Sequence, residues 1–192
     1  MRLLAVLILL IPMISCVQNR STPPAVAVLR SGPRIGDRAP DFTLPWASKD
    51  GVGPVEAPYQ LWRDLGKTIV LAFYPQAFTQ SSATEFRAFA DQYGQLFGPD
   101  VVVVGISTDS LERQSRFAAE LELPFRLLSD TAQRVVKQYA GADARGLSRR
   151  VVYVIGPDGD VAYRDSSFDP SDANAYAKLG AAVKAARQAK PE

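Results

Sequence analysis

The sequence predicts an α/β fold, because segments typical of strands alternate with segments typical of helices from Ile35 onward. Two continuous apolar runs, 68–74 and 101–106, are typical of strands that are covered on both faces of a sheet. Between them, large apolar residues recur at helical spacing from Phe86 to Leu96, as expected of a helix that packs on that sheet. With 192 residues, the chain is long enough to form one domain with a substantial core.

The remaining elements are predicted from turn and capping residues. Asp109 to Glu112 has the pattern of a capping box, which opens a helix that continues to about Leu121. A Gly-Pro-Asp-Gly-Asp turn separates two apolar runs and predicts a β-hairpin. In chain order, we predict an opening strand at 38–44, a turn at 47–53, a helical turn at 61–65, a strand at 68–74, a helix at 80–97, a strand at 101–106, a helix at 109–121, a strand at 125–128, a helix at 131–140, the hairpin at 151–163 and a helix from Asp169 and Pro170 onward.

The composition excludes several classes of function. A net charge of +2 without a basic cluster argues against nucleic-acid binding. The chain has no His, which removes His-dependent nucleophilic catalysis and the commonest transition-metal ligand. Its only cysteine is Cys16, so neither an internal disulfide nor a Cys-x-x-Cys pair can form. The sequence predicts no metal site and no cofactor.

The first 16 residues are predicted to be a signal peptide. Met1 and Arg2 are followed by an uncharged apolar stretch, 3–14, that is shorter than the roughly 18–20 residues needed to span a bilayer. The stretch ends in Met-Ile-Ser-Cys, which resembles the bacterial lipobox, in which the Cys is lipidated and becomes the mature N-terminus. We therefore expect Cys16 to attach the protein to a membrane of the bacterial cell envelope, facing the periplasm or the exterior. A secreted protein without the lipid and an uncleaved anchor are the open alternatives.

Residues 17–34 are predicted to be a flexible tether, and residues 35–192 the folded domain. The tether contains Pro23-Pro24, Ser31-Gly32-Pro33 and scattered arginines, a composition typical of linkers. Its one apolar patch, 25–29, leaves an edge strand as the alternative interpretation. Such a tether would hold the domain away from the membrane surface.

A motif follows the first buried strand. The segment 73–85 reads Phe-Tyr-Pro-Gln-Ala-Phe-Thr-Gln-Ser-Ser-Ala-Thr-Glu. It resembles the active-site segment of the peroxiredoxins, the alkyl hydroperoxide reductase/thiol-specific antioxidant family, whose motif is Pro-x-x-x-Thr-x-x-Cys. Pro75 and Thr79 match this motif, and Ser82 occupies the position of the peroxidatic Cys. The resemblance covers about 35–187 and implies a thioredoxin-like fold of the peroxiredoxin type, with a central mixed β-sheet flanked by helices.

The resemblance also implies roles for individual residues. Pro75 would shield the pocket, and the hydroxyl of Thr79 would hydrogen-bond the reactive group and the peroxide. The family Arg, which lowers the pKa of the Cys thiol together with the helix dipole, corresponds to Arg150, with Arg149 as the fallback. Glu85 fits a motif Glu near the end of the first helical turn.

Serine at position 82 changes the chemistry that the resemblance implies. The family reaction is the thiol-dependent reduction of peroxides, in which the Cys thiolate is oxidised to sulfenic acid. An alcohol stays protonated near neutral pH and has no such series of oxidation states. A resolving Cys is also missing, since Arg87 stands where one subfamily keeps it. We therefore expect no thiol-peroxidase turnover.

The leading hypothesis is a binding or structural relative in the cell envelope that keeps affinity for peroxide or a small oxyanion near Thr79 and Arg150. A nucleophilic Ser82 would need an adjacent base, and neither Gly-x-Ser-x-Gly nor Ser-x-x-Lys surrounds it, so we expect Ser81 or Ser82 to cap the following helix. Two alternatives stay open: an antioxidant peroxidase whose catalytic Cys was replaced by Ser82 through engineering, and a module that docks an envelope protein or forms a homodimer.

Overall fold

The computed structural model describes residues 32–189, in which a seven-stranded sheet is covered by helices. The strands are β1 (Thr43–Leu44), β2 (Trp46–Ser48), β3 (Gly51–Val52), β4 (Tyr59–Gln60), β5 (Thr68–Phe73), β6 (Val101–Ser107), β7 (Arg126–Ser129), β8 (Val151–Ile155) and β9 (Val161–Asp165). The helices are α1 (Gln80–Asp91), α2 (Tyr93–Leu96), α3 (Leu111–Glu120), α4 (Arg134–Tyr139) and α5 (Ala173–Gln188), with a 3-10 helix at Leu61–Asp64.

The sheet is mixed, as predicted. Its strand order is β3-β2-β7-β6-β5-β8-β9, and β1 and β4 form a separate pair. β5, β6 and β7 run parallel, whereas β8, β9, β2 and β3 are joined by antiparallel pairing. Phe73 lies beside Ile106 in the register of β5 and β6, so both strands end at the same edge of the sheet. The predicted α/β class is confirmed, and the motif segment starts at this edge.

The central strand β5 separates two hydrophobic cores. All six of its residues are buried, because successive side chains of a strand point to opposite faces and both faces are covered here. Val70 and Ala72 pack with side chains from α1, α2, α3 and α5. Ile69 and Leu71 pack with side chains from α4 and from β1 and β4. The run of apolar residues in the sequence is therefore explained by the burial of β5 on both faces.

Aromatic rings fill the core on the α1 side. Phe86 of α1 is fully buried. A Cβ at Gly105 of β6 would lie 2.9 Å from its ring, so glycine lets this ring lie directly on the sheet. Tilted and edge-on contacts, with centroid distances between 4.8 and 6.0 Å, join Phe86 to Tyr74, Phe89, Phe117 and Phe125.

Several helix boundaries differ from the prediction. The helix predicted at 80–97 is interrupted at Gln92, whose φ of −107° and ψ of 16° leave helical geometry; Gly94 in the next turn lowers helix propensity further. The helix predicted from residue 131 begins at Arg134, because the preceding residue has a left-handed conformation. The last helix begins at Ala173 rather than at Asp169, since the Asp172 side chain accepts the hydrogen bond that caps it.

The start of the domain also differs from the prediction. Pro33 is buried, and a Cβ on Gly32 would collide with the carbonyl oxygen of Tyr139 and the hydroxyl of Tyr153. Both residues were assigned to the tether, but they pack on the domain. The predicted signal peptide, Cys16 and the rest of the tether lie outside the described residues. Within residues 32–189, no helix is long and apolar enough to cross a membrane.

Replacing Phe86 by Ala should lower the free energy of unfolding by about 3–5 kcal/mol, because the four surrounding rings cannot close the resulting cavity. The same change at Phe78, a ring that is 40% exposed, should lower it by only about 1 kcal/mol. Urea unfolding monitored by circular dichroism measures both losses. Equal losses for the two variants would contradict the packing described for Phe86.

Candidate active site

The candidate site lies at the start of α1, just after the chain leaves the carboxyl end of β5. Thr79 is the N-cap residue, with an extended backbone, and its side-chain oxygen accepts the N–H of Ser82 at 3.4 Å. The prediction that Ser81 or Ser82 caps this helix is therefore wrong. Helical geometry already begins at Gln80, which makes Ser82 the third residue of the helix and the donor that the cap satisfies.

The hydroxyl of Ser82 belongs to a compact polar cluster. Its Oγ lies 2.9 Å from Thr79 Oγ1, and Arg150 Nη2 donates to it at 3.3 Å. Arg150 Nη2 also lies 3.1 Å from Ser81 Oγ. Ser82 is 0% exposed, so a molecule in solution does not contact its hydroxyl in this conformation.

A buried ion pair holds the arginine of this cluster. Arg150 Nη1 pairs with Glu85 Oε2; Glu85 has no exposed side-chain surface, and the Arg150 side chain is 12% exposed. Burial lowers the pKa of Arg150, and this effect is opposed by the nearby Tyr176 and Asp169. Among the described residues, Glu85 Oε1 has no hydrogen-bond partner. The guanidinium therefore pairs with Glu85 through Nη1 and donates to the two serines through Nη2.

The structure separates the two arginines that the sequence left as candidates. Arg150 lies at Ser82, whereas the backbone N–H of Arg149 donates to Gly141 at 3.0 Å and its side chain lines a different cavity. Pro75 is half-buried in the loop that joins β5 to Thr79. Thr79, Ser82 and Arg150 are therefore in contact, Pro75 lies in the loop that leads to Thr79, and Arg149 lies outside this cluster.

Two residues that hold this loop were missed by the sequence analysis. Asp109 Oδ2 accepts the N–H of Ala77 at 2.7 Å and the hydroxyl of Ser107 at 2.9 Å. Arg113 Nη2 donates to the carbonyl of Ala77 at 2.8 Å, and its Nε lies 2.9 Å from Asp109 Oδ1. We call the pair of Asp109 and Arg113 the Ala77 clamp. It binds both polar backbone groups of one loop residue.

Asp109 was assigned to a capping box, but the N-cap residue of α3 is Ser110. This leaves the Asp109 carboxylate free to reach the loop. Two signals in the sequence pointed to the clamp: Asp109 follows β6, the parallel neighbour of β5, and Arg113 is four residues further on.

The clamp accounts for an unusual backbone conformation next to the site. Phe78 has φ of 64°, a left-handed geometry that is unfavourable for a bulky residue. The Arg113 guanidinium lies 5.2 Å from the centroid of the Phe78 ring, and the Phe117 ring lies at the same distance on the core side. These contacts and the fixed Ala77 backbone stabilise the bend that delivers Thr79 to the N-cap position.

The arrangement is suited to hydrogen bonding and to anion binding rather than to nucleophilic attack. Two hydroxyls and a guanidinium converge at the positive end of α1. A serine nucleophile needs a base that takes its proton, and the side-chain partners of Ser82 Oγ are a hydroxyl and a cation. Within residues 32–189, no group of three metal-binding side chains is present either.

Comparison with known proteins identifies the family. The model of the AhpC/TSA family matches residues 35–164, which is more than half of the chain. The chain belongs to the AhpC/TSA family. This confirms the family that the motif around Pro75 and Thr79 predicted.

Individual AhpC/TSA relatives are of the peroxiredoxin Q and Bcp type. Peroxiredoxin Q, chloroplastic, of Sedum lineare is 38% identical over 128 residues, which cover 66% of this chain and 65% of that protein. Peroxiredoxin Bcp of Escherichia coli strain K12 is 31% identical over 147 residues, which cover 72% of this chain and 89% of that protein. The chain also spans 65% of the length of a bcp relative from Coxiella burnetii.

A solved structure supports the peroxiredoxin type of thioredoxin-like fold. The crystal structure of peroxidoxin BcpB from Mycobacterium tuberculosis matches with a TM-score of 0.68 and 31% sequence identity. The match covers 81% of this chain and 99% of that chain. The fold predicted from the sequence is therefore confirmed.

Replacing Asp109 by Ala should lower the free energy of unfolding by about 2–3 kcal/mol, because it leaves the Ala77 N–H and the Arg113 guanidinium without their acceptor. Asp50→Ala, which removes an exposed carboxylate, should change it by no more than about 0.5 kcal/mol. Urea unfolding measures both changes, and hydrogen exchange at Ala77 tests whether the loop opens locally. Unchanged protection of Ala77 in the Asp109→Ala variant would contradict the clamp.

Proposed function

We propose that this AhpC/TSA protein keeps the pocket of a peroxiredoxin but lacks thiol-peroxidase turnover. The observation that carries the proposal is the contact of Thr79 and Arg150 with an alcohol, Ser82 Oγ, at the first turn of α1. By resemblance, the family keeps its peroxidatic thiol at this position. Cys16 carries the only thiol in the chain, and it lies in the proposed signal peptide.

The chemistry of oxygen supports this proposal. A thiol with a pKa near roughly 8.5 forms a nucleophilic thiolate when a helix N-terminus and a cation lower that pKa. The same surroundings leave an alcohol protonated near neutral pH. Oxygen also cannot form the sulfenic acid that a second thiol would reduce. The Ser82 site therefore binds and orients rather than reacts.

The proposed ligand is peroxide or a small oxyanion. A cavity of about 470 Å³ lies beside Ser81, between the first turn of α1 and the loop that contains Asp169. Because Ser81 Oγ is a partner of Arg150, a ligand in this cavity reaches the guanidinium through Ser81. Contact with Ser82 itself requires the surrounding side chains to move, since Ser82 is fully buried.

We further propose that the protein is an envelope lipoprotein. The apolar stretch 3–14 and the Met-Ile-Ser-Cys sequence that ends at Cys16 support a cleaved signal peptide and lipidation of Cys16. Such an anchor would place the domain in the periplasm or on the exterior. Docking of an envelope protein and formation of a homodimer stay predictions.

A genuine antioxidant peroxidase is the second candidate function. The contacts of Thr79 and Arg150 with the side chain at position 82 favour it, because an engineered Cys-to-Ser change would leave the pocket as it is. The natural gene distinguishes the two candidates: a Cys codon at position 82 supports the peroxidase, and a Ser codon rules it out.

Ser82→Cys should restore peroxidase activity if the pocket is intact. The Thr79 hydroxyl, the Arg150 guanidinium and the α1 N-terminus should lower the pKa of the new thiol from roughly 8.5 to below about 7, so that the thiolate predominates at neutral pH. The comparison is made in a Cys16→Ser background, which removes the other thiol. Consumption of hydrogen peroxide and organic hydroperoxides with dithiothreitol measures turnover, and thiolate absorbance against pH measures the pKa.

Two control variants are needed to interpret the Ser82→Cys result. The Cys16→Ser protein with Ser82 should be inert, and a protein-based oxidation product that turns over with reductant would contradict the proposal. Adding Arg150→Gln to the Ser82→Cys variant should raise the pKa of the thiol and slow turnover at neutral pH, because the cation that favours the thiolate is gone. Inactivity of Ser82→Cys itself would mean that the pocket has lost the family geometry.

Cys16→Ala should abolish membrane attachment through lipid. Expressed with its full N-terminus in a bacterial host, the wild-type chain should partition into the detergent phase and carry acyl chains on Cys16 by mass spectrometry. The variant should lose the acyl mass. An unmodified Cys16 in the wild-type protein would support secretion or an uncleaved anchor instead.

A further inference from the structure

A second cavity, of about 700 Å³, lies on the opposite side of the sheet from Ser82. It opens between the end of α4 and the loop 140–149, which is closed by a bridge between Ala142 and Ser148. The loop bends at Gly141 and Gly146, whose φ values of 78° and 79° other residues rarely adopt. Three cations, Lys137, Arg145 and Arg149, line the cavity, and we call it the basic pocket.

The charges of the basic pocket are not balanced within the described part of the chain. Arg145 pairs with Asp143, with its Nη2 2.9 Å from Asp143 Oδ2. This pairing lowers the pKa of Asp143 and keeps the carboxylate ionised. Lys137 and Arg149 have no ion-pair partner among residues 32–189. The pocket therefore carries two uncompensated positive charges, although the whole chain has a net charge of only +2. An anion is the complementary ligand.

The chain enters the domain next to this pocket. Gly32 packs against the carbonyl of Tyr139, the last residue of α4, and the adjacent Ala140 lines the pocket. Residues 17–31 of the proposed tether can span at most about 50 Å. Residues 17–36 contain three arginines and no acidic residue, so the approach to the domain is also positively charged.

We propose that the basic pocket binds the phosphate of an anionic phospholipid in the membrane to which the N-terminus attaches. This inference rests on the proposed membrane attachment. A tether of this length raises the effective concentration of the pocket at the membrane surface to about the millimolar range, so weak headgroup binding is sufficient. Cations near an anionic membrane surface each add to the attraction. Docking in this orientation turns the α4 side toward the lipid and leaves the Ser82 side facing water.

Hydrogen exchange of the full chain on lipid vesicles tests the proposal. Exchange in the loop 140–149 is compared on vesicles of phosphatidylcholine alone and on vesicles that also contain phosphatidylglycerol. We expect added protection of this loop only with phosphatidylglycerol, and its loss at high salt. In Lys137→Gln/Arg149→Gln, the docking equilibrium should weaken about 30-fold, roughly fivefold for each cation removed. Arg87→Gln/Lys178→Gln, which removes two exposed cations from other helices, should keep the protection.

Three results would overturn the proposal. Equal protection on both vesicle types would show that the lipid charge is not recognised. Protection by inorganic phosphate alone, with no further gain from phosphatidylglycerol, would assign the pocket to a soluble anion. Full protection of the loop in Lys137→Gln/Arg149→Gln would show that these two cations do not bind the lipid phosphate. Failure of the chain to float with phosphatidylcholine vesicles would instead count against the attachment, and the difference between the two vesicle types would still test the pocket.

Discussion

The burial of β5 on both faces is the constraint on which the rest of the structure depends. A strand covered on two sides is apolar at nearly every position, as in β5, where Thr68 is the one polar residue, and the alternation of its side chains then creates two cores at once. Its parallel pairing with β6 brings the ends of both strands to one edge, where the backbone leaves the sheet. The motif loop starts from β5 and Asp109 follows β6, so the Ala77 clamp is a direct consequence of this pairing.

A buried ion pair then determines which polar groups lie at this edge of the sheet. A carboxylate as deeply buried as Glu85 is stable only with a paired cation, and Arg150 is that cation. The pair joins α1 to the start of β8 and leaves the remaining guanidinium donors aimed at Ser81 and Ser82. The geometry that would favour a thiolate is therefore kept by a structural need, the neutralisation of Glu85, whatever atom occupies position 82. Under the proposed function, this structural need accounts for a pocket that is kept without a thiol.

Local patterns predicted the elements whose sequence signal is strong, and failed where tertiary contacts compete with local preference. The apolar runs at β5 and β6 and the turn residues before β9 are compatible with few alternative structures, and these elements form as predicted. The cap of α1 was misassigned because Thr79, Ser81 and Ser82 are all good capping residues. Only the bend at Phe78, imposed by α3 through Arg113, selects Thr79. Asp109 was misassigned for the same reason: a carboxylate at a helix start has a local use, and its partner 32 residues away is visible only in three dimensions.

The two arginines that precede β8 show how one short segment can serve two different surfaces. Arg150 turns to the α1 side and neutralises Glu85, whereas Arg149 turns to the α4 side and lines the basic pocket. The first is satisfied by a buried partner, and removing it would leave a buried carboxylate uncompensated. Within residues 32–189 Arg149 has no such partner, so its loss leaves no described carboxylate unpaired and should affect mainly the proposed ligand. Because of this asymmetry, substitutions at Arg149 test the proposed ligand with little effect on stability, whereas substitutions at Arg150 also change stability.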